Sequence, residues 1–185
     1  MGACTSAEEN AHRLEITQER SVKNNEFVAD GSPLVEEDLA GFSGLKYFPV
    51  DFEFRLAAIL NPYSKAESVL LQQGDTLTRM PRYGKVVFTL HGAETSLTVF
   101  KPVKNPLSTE EDYLFVPFFD QTNTEETYEG GRYVYPEMQD DGSLIIDFNK
   151  ASNPYCAYNH AFNCVVPPME NSIAVKINAG EKSYH

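Results

Sequence analysis

The chain has 185 residues, 42% hydrophobic and 12% aromatic, enough apolar material to bury the core of one domain, which excludes wholesale disorder. Fifteen Lys and Arg against 27 Asp and Glu give a net charge of −12, a field that repels phosphate backbones and anionic headgroups, so general nucleic-acid binding is excluded. The longest uncharged stretch, 151–169, is broken by Pro154, Pro167 and Pro168 and is rich in Asn and Tyr, so it predicts no transmembrane segment.

The first residues, Met1 to Ser6, carry neither the basic segment nor the apolar run of a secretory signal. Cys4 follows two small residues and precedes a polar stretch from Thr5 to Asn10. That pattern has two readings: the lipid-bearing cysteine of a trimmed bacterial lipoprotein, or an ordinary exposed thiol near a terminus. From Ala7 to Phe27, the spacing of Ala7, Ala11, Leu14 and Val22 predicts a weakly amphipathic helix lying with those residues against a core. Ser32 and Pro33 then supply an N-cap and first helical residue for a short helix that stops near Gly41. Residues 1–41 therefore read as a polar tether and helical lead, and 42–185 as a β domain.

Beyond Phe52, short β-branched and aromatic runs alternate with turn residues. They predict strands over 54–60, 68–72, 85–90, 95–103, 113–119, 132–135, 144–149 and 172–178. Val86, Phe88 and Leu90 alternate up to the turn at His91 and Gly92, and Leu97 and Val99 resume the pattern, which makes this the best-defined hairpin. Asp140, Asp141 and Gly142 make a second turn. About eight short strands without recurrent helices between them predict an all-β, mainly antiparallel fold, a single barrel-like or sandwich domain with short N-terminal helices.

In the strand at 144–149, Leu144, Ile146 and Phe148 face one way and Asp147 and Asn149 the other. On a barrel interior this second face would meet Tyr128, Arg132 and Tyr133 in a polar patch within an apolar cup; the alternative is a buried Arg132 and Asp147 pair that only supports the fold. The acidic loop from Asp120 to Arg132 lacks the ligand spacing and sixth-position glycine of a calcium loop and reads as solvated. Cys156, His160 and Cys164 offer two thiolates and an imidazole, three of the four ligands of a zinc site, but no second cluster completes it. Cys156 and Cys164 are open to three readings: a disulfide, two reduced thiols, or metal ligands.

The segment from Tyr113 to Asp120, then Glu126 to Tyr133, Asp147 to Ala151, Asn153 to Tyr158, Cys164, Pro167 to Asn171 and Ala179 to Lys182, taken with Phe42 to Pro49, resembles the family called domain of unknown function 1684. The resemblance runs from about Phe42 to the C-terminus and implies no activity or cofactor. Family members of this short form often follow a secretion or lipoprotein signal, which favours Cys4 as a lipid anchor and an envelope location. Where many members have Cys-Pro, this chain has Cys164-Val165-Val166-Pro167.

These readings converge on a small-ligand-binding β domain of the cell envelope. Its candidate ligand-binding residues are Asp120, Thr127, Tyr128, Arg132, Tyr133, Asp147, Asn149, Asn153, Cys156 and Tyr158, with a disulfide between Cys156 and Cys164. Two alternatives stand beside it: a hydrolase-like enzyme using Asp147 as base or Cys156 as nucleophile, and a structural or interaction module without a ligand.

Overall fold

The computed structural model describes residues 6–101 and 113–185. Cys4, with its anchor reading, lies outside them. Helix α1 (Ala7–Glu26) opens with a capping box, in which Ser6 accepts from the Glu9 amide and the Glu9 carboxylate accepts from Ser6. A one-turn helix, α2 (Glu36–Leu39), follows. It starts later than expected because the Ser32 hydroxyl is used in a turn, donating to the Phe27 carbonyl and accepting from the Leu34 amide.

Among the described residues seven strands follow: β1 (Arg55–Gln73), β2 (Thr76–Leu90), β3 (Ala93–Phe100), β4 (Val116–Phe118), β5 (Arg132–Val134), β6 (Glu137–Met138) and β7 (Leu144–Asp147). Five form an antiparallel sheet in the order β3-β2-β1-β7-β6, and β4 pairs with β5. The expected strands at 54–60 and 68–72 are one strand, with a register irregularity between Pro62 and Glu67. The predicted strand at 172–178 makes a bridge at Ser172 and then bends at 174–175, with Ile173 and Ile177 buried in the core.

Both predicted turns form. His91 and Gly92 take positive φ of 49° and 80° between β2 and β3, and Gly142 takes φ of 83° between β6 and β7. Val86, Phe88, Leu90, Leu97, Val99, Leu144, Ile146 and Phe148 join Phe54, Val116, Phe118, Val134 and Ile177 in one buried core, so the period-two pattern fixed the inward faces.

The barrel expectation is corrected. Among the described residues, β3 is joined to the chain entering β4 by a single bridge, between Phe100 and Phe115, instead of a ladder. Between Val134 and Glu137 the chain passes from one sheet to the other through Pro136, which has no N–H to extend a ladder. The result is two sheets rather than a closed barrel. The buried Asn171 side chain spans the first gap, donating to the Thr98 and Pro117 carbonyls at 2.9 Å and accepting from the Thr98 amide at 2.7 Å.

Helix α1 also corrects its prediction. Leu14 is 72% and Val22 51% exposed, while His12 and Ile16 are buried. The docked face is mainly polar: His12 meets Asp147, Arg20 donates to the Phe48 and Asn149 carbonyls, and Lys23 pairs with Glu181. A hydropathy pattern cannot register a helix held by hydrogen bonds. No helix among the described residues is long and apolar enough to cross a membrane.

Candidate functional site

Arg132 is fully buried on β5, and its strand position aims the guanidinium at the C-terminal segment. It reaches Asp120 at 3.2 Å, donates to the carbonyls of Ile177 at 2.9 Å and Glu181 at 3.2 Å, also donates to Ala179, and lies over the Phe118 ring. Asp120 in turn accepts from the Ile177 amide and the Thr122 hydroxyl, which meets Thr127 at 2.8 Å. The expected Arg132 and Asp147 pair is therefore replaced by Arg132 with Asp120, because the strand carrying Arg132 pairs with β4, whose end leads into Asp120.

Asp147 and Asn149 do lie together, but through the 3-10 turn Phe148–Lys150 that ends β7, where the Asn149 amide and side chain donate to Asp147 Oδ1, rather than by strand alternation. Their face lies against α1 and the segment before β1, not against Arg132. His12 Nε2 is 2.6 Å from Asp147 Oδ2, and Asn149 exchanges hydrogen bonds with the Asp51 backbone. Asn153 and Tyr158 meet at Glu181, a buried carboxylate that accepts from the Asn153 amide, the Tyr158 hydroxyl and Lys23. Burial and the Glu181 charge push the Tyr158 phenol far upward, so it stays a donor. Glu181 and Asn171 were missed as organising residues, since an isolated acid or amide near a chain end carries no pattern.

On the far side of β5, Tyr133 and Tyr135 contribute to a cleft of about 430 Å3. Its other walls come from Gln73 and Thr78 of the long hairpin, Tyr113 and Phe115 before β4, and the loop carrying Asn153, Tyr155, Phe162 and Cys164. The rings interlock: Phe115 and Tyr133 centroids are 4.8 Å apart, Tyr113 and Tyr135 5.6 Å, and Tyr155 and Phe162 5.4 Å. Tyr133 is held by its hydroxyl on the Val165 carbonyl at 2.6 Å. Burial pushes the Tyr133 phenol well up, which keeps this wall neutral. The Asn153 Oδ1 is a buried acceptor without a hydrogen-bond partner among the described residues, while its Nδ2 donates to the Lys182 carbonyl.

Of the candidate ligand-binding residues, Tyr133 and Asn153 line this cleft. Asp120, Thr127, Arg132, Asp147, Asn149 and Tyr158 stand in the supporting networks. Tyr113, Tyr135, Tyr155 and Phe162 were not anticipated, although Tyr133 and Tyr135, two apart on an extended segment, share a side.

The disulfide expectation is corrected to two free, partly buried thiols. The Cys156 amide donates to Cys164 Sγ at 3.0 Å, and the Tyr128 hydroxyl donates to Cys156 Sγ at 3.8 Å. His160 is exposed, and no group of three metal-ligating side chains converges among the described residues. In the acidic loop, Glu125 and Glu126 pair with Lys176. Gly131 takes φ of 84° with Phe118 and Pro167 packed where a Cβ would stand, a position that admits only glycine.

The family described as "Protein of unknown function (DUF1684)" matches residues 40–182, and the chain belongs to that family. The solution NMR structure of an uncharacterised protein from Haloarcula marismortui is similar, with 30% identity and a TM-score of 0.73, covering 98% of this chain and 100% of that one. No curated protein matches.

Proposed function

We propose that this chain, as a member of a family without an assigned activity, binds a neutral small molecule with an aromatic body in the cleft between the hairpin and the Asn153 to Val165 loop. The observation that carries this reading is the convergence of Tyr113, Phe115, Tyr133, Tyr135, Tyr155 and Phe162 on one hollow of about 430 Å3. Four of these rings, Tyr113, Tyr135, Tyr155 and Phe162, remain substantially solvent-exposed, an arrangement that a purely structural cluster does not require. The volume falls in the ordinary range of small-molecule sites, roughly 300–1,000 Å3. Neutral phenols favour an uncharged ligand.

Saturation-transfer NMR with a panel of neutral mono- and bicyclic aromatic compounds tests the proposal, with native mass spectrometry of freshly purified protein to detect a retained molecule. A binder should lose affinity about 2- to 12-fold in Tyr135→Ala or Phe162→Ala, the equivalent of about 0.5–1.5 kcal/mol for one ring contact. If no compound saturates, or if both variants bind as the parent does, the proposal fails.

A further inference from the structure

We propose that Cys156 and Cys164 form a redox-active dithiol that undergoes exchange with low-molecular-weight disulfides, Cys156 attacking and Cys164 resolving. The geometry supplies each part. The Cys156 amide donates to Cys164 Sγ at 3.0 Å, which holds the two side chains against each other, the Tyr128 hydroxyl donates to Cys156 Sγ at 3.8 Å, and both residues retain solvent exposure. Cys156 thus carries the hydroxyl donor that favours a thiolate, with Cys164 held beside it on a backbone amide. In agreement, the Cys164 hydrogen bond, against the effect of burial and with help from Tyr128, lowers the Cys156 pKa to about 7 and raises that of Cys164.

The Cys156 thiolate attacks one sulfur of a disulfide RSSR; the RS–SR bond breaks, RS− leaves, and a Cys156–S–S–R bond forms. Cys164 then loses its proton to solvent and attacks the Cys156 sulfur, releasing a second RS− and leaving an intramolecular disulfide. Two electrons pass from the dithiol to RSSR, and two RSH are formed on protonation. The new bond ties the Tyr155 wall of the cleft to the Phe162 wall, since Cys156 follows the first ring and Cys164 lies two residues past the second. The chemistry itself does not depend on what the cleft binds.

The probe is oxidised glutathione, added to the reduced full chain at pH 7, with peptide mapping to separate these thiols from Cys4. The parent should form the Cys156 to Cys164 linkage, Cys164→Ser should accumulate glutathione on Cys156, and Cys156→Ser should leave Cys164 mostly unmodified. Iodoacetamide on the unmutated protein gives a readout free of folding effects: Cys156 should alkylate about 3- to 5-fold faster than an unstructured peptide thiol, its larger thiolate fraction outweighing its lower intrinsic nucleophilicity. Tyr128→Phe should reduce that ratio. A parent that stays reduced, glutathione found first on Cys164, or alkylation of Cys156 no faster than the peptide would overturn the proposal.

Discussion

Replacing Arg132 with Met keeps most of the side-chain volume but removes the charge at the centre of the buried network. Asp120 would lose its cationic partner, and the carbonyls of Ile177, Ala179 and Glu181 would lose donors in a region where Arg132, Ile177 and Glu181 are at most 1% exposed. Breaking a buried pair from one side costs about 3–5 kcal/mol, because the remaining charge stays desolvated. Against a typical total of about 5–15 kcal/mol, that is a large share of the stability. With about 2–4 °C per kcal/mol for a chain of this size, a loss near 4 kcal/mol lowers Tm by about 8–16 °C. Urea titration should show a lower midpoint with an unchanged slope. A double-mutant cycle identifies the partner: Arg132→Met with Asp120→Asn should couple by about 1–3 kcal/mol, whereas Arg132→Met with Asp147→Asn should add within about 0.5 kcal/mol. A loss below about 1 kcal/mol, or coupling to Asp147 as large as to Asp120, would refute the assignment.

Ile16→Ala on the docked face of α1 should cost about 2–4 kcal/mol, and Leu14→Ala on the exposed face less than about 0.5, as read by chemical denaturation. Equal losses would place the helix the other way round. The Glu170 carboxyl is held below its ordinary 4.5 first by the hydrogen bond from Arg82, with Thr98 also donating, against some burial. Its folded pKa being lowered, the contribution to stability is full above the unfolded value and is lost as pH falls through the lowered one. Glu170→Gln should therefore flatten the loss of stability below about pH 4.5, and a curve parallel to the parent's through that range would contradict the pairing.

Much of the β architecture was legible because its signals are local. The alternation of Val86, Phe88, Leu90, Leu97 and Val99 set the inward faces, and His91 with Gly92 set the turn, since two-residue hairpins demand positive φ that few residues tolerate. The alternation in β7 likewise put Leu144 and Ile146 in the core, whereas the predicted strand ends at Asp147 and a 3-10 turn over Phe148–Lys150 brings Asp147 and Asn149 together. Local pattern failed where the partner was distant. The polar face of α1 was invisible because His12 finds Asp147 135 residues away, and hydropathy weights only the apolar side of a helix.

What the sequence determined alone was therefore the strand content, the inward faces, the acidic surface and the family resemblance, all functions of neighbouring residues or composition. The tertiary structure decided which buried charges pair, because a guanidinium accepts any carboxylate that the strand order brings within reach, and the order put Asp120 beside Arg132. It also decided the cleft: Tyr113, Tyr135, Tyr155 and Phe162 are scattered exposed rings in one dimension and a single wall in three. The two thiols meet for the same reason, since the chain between them turns back on itself and holds Cys164 Sγ against the Cys156 amide.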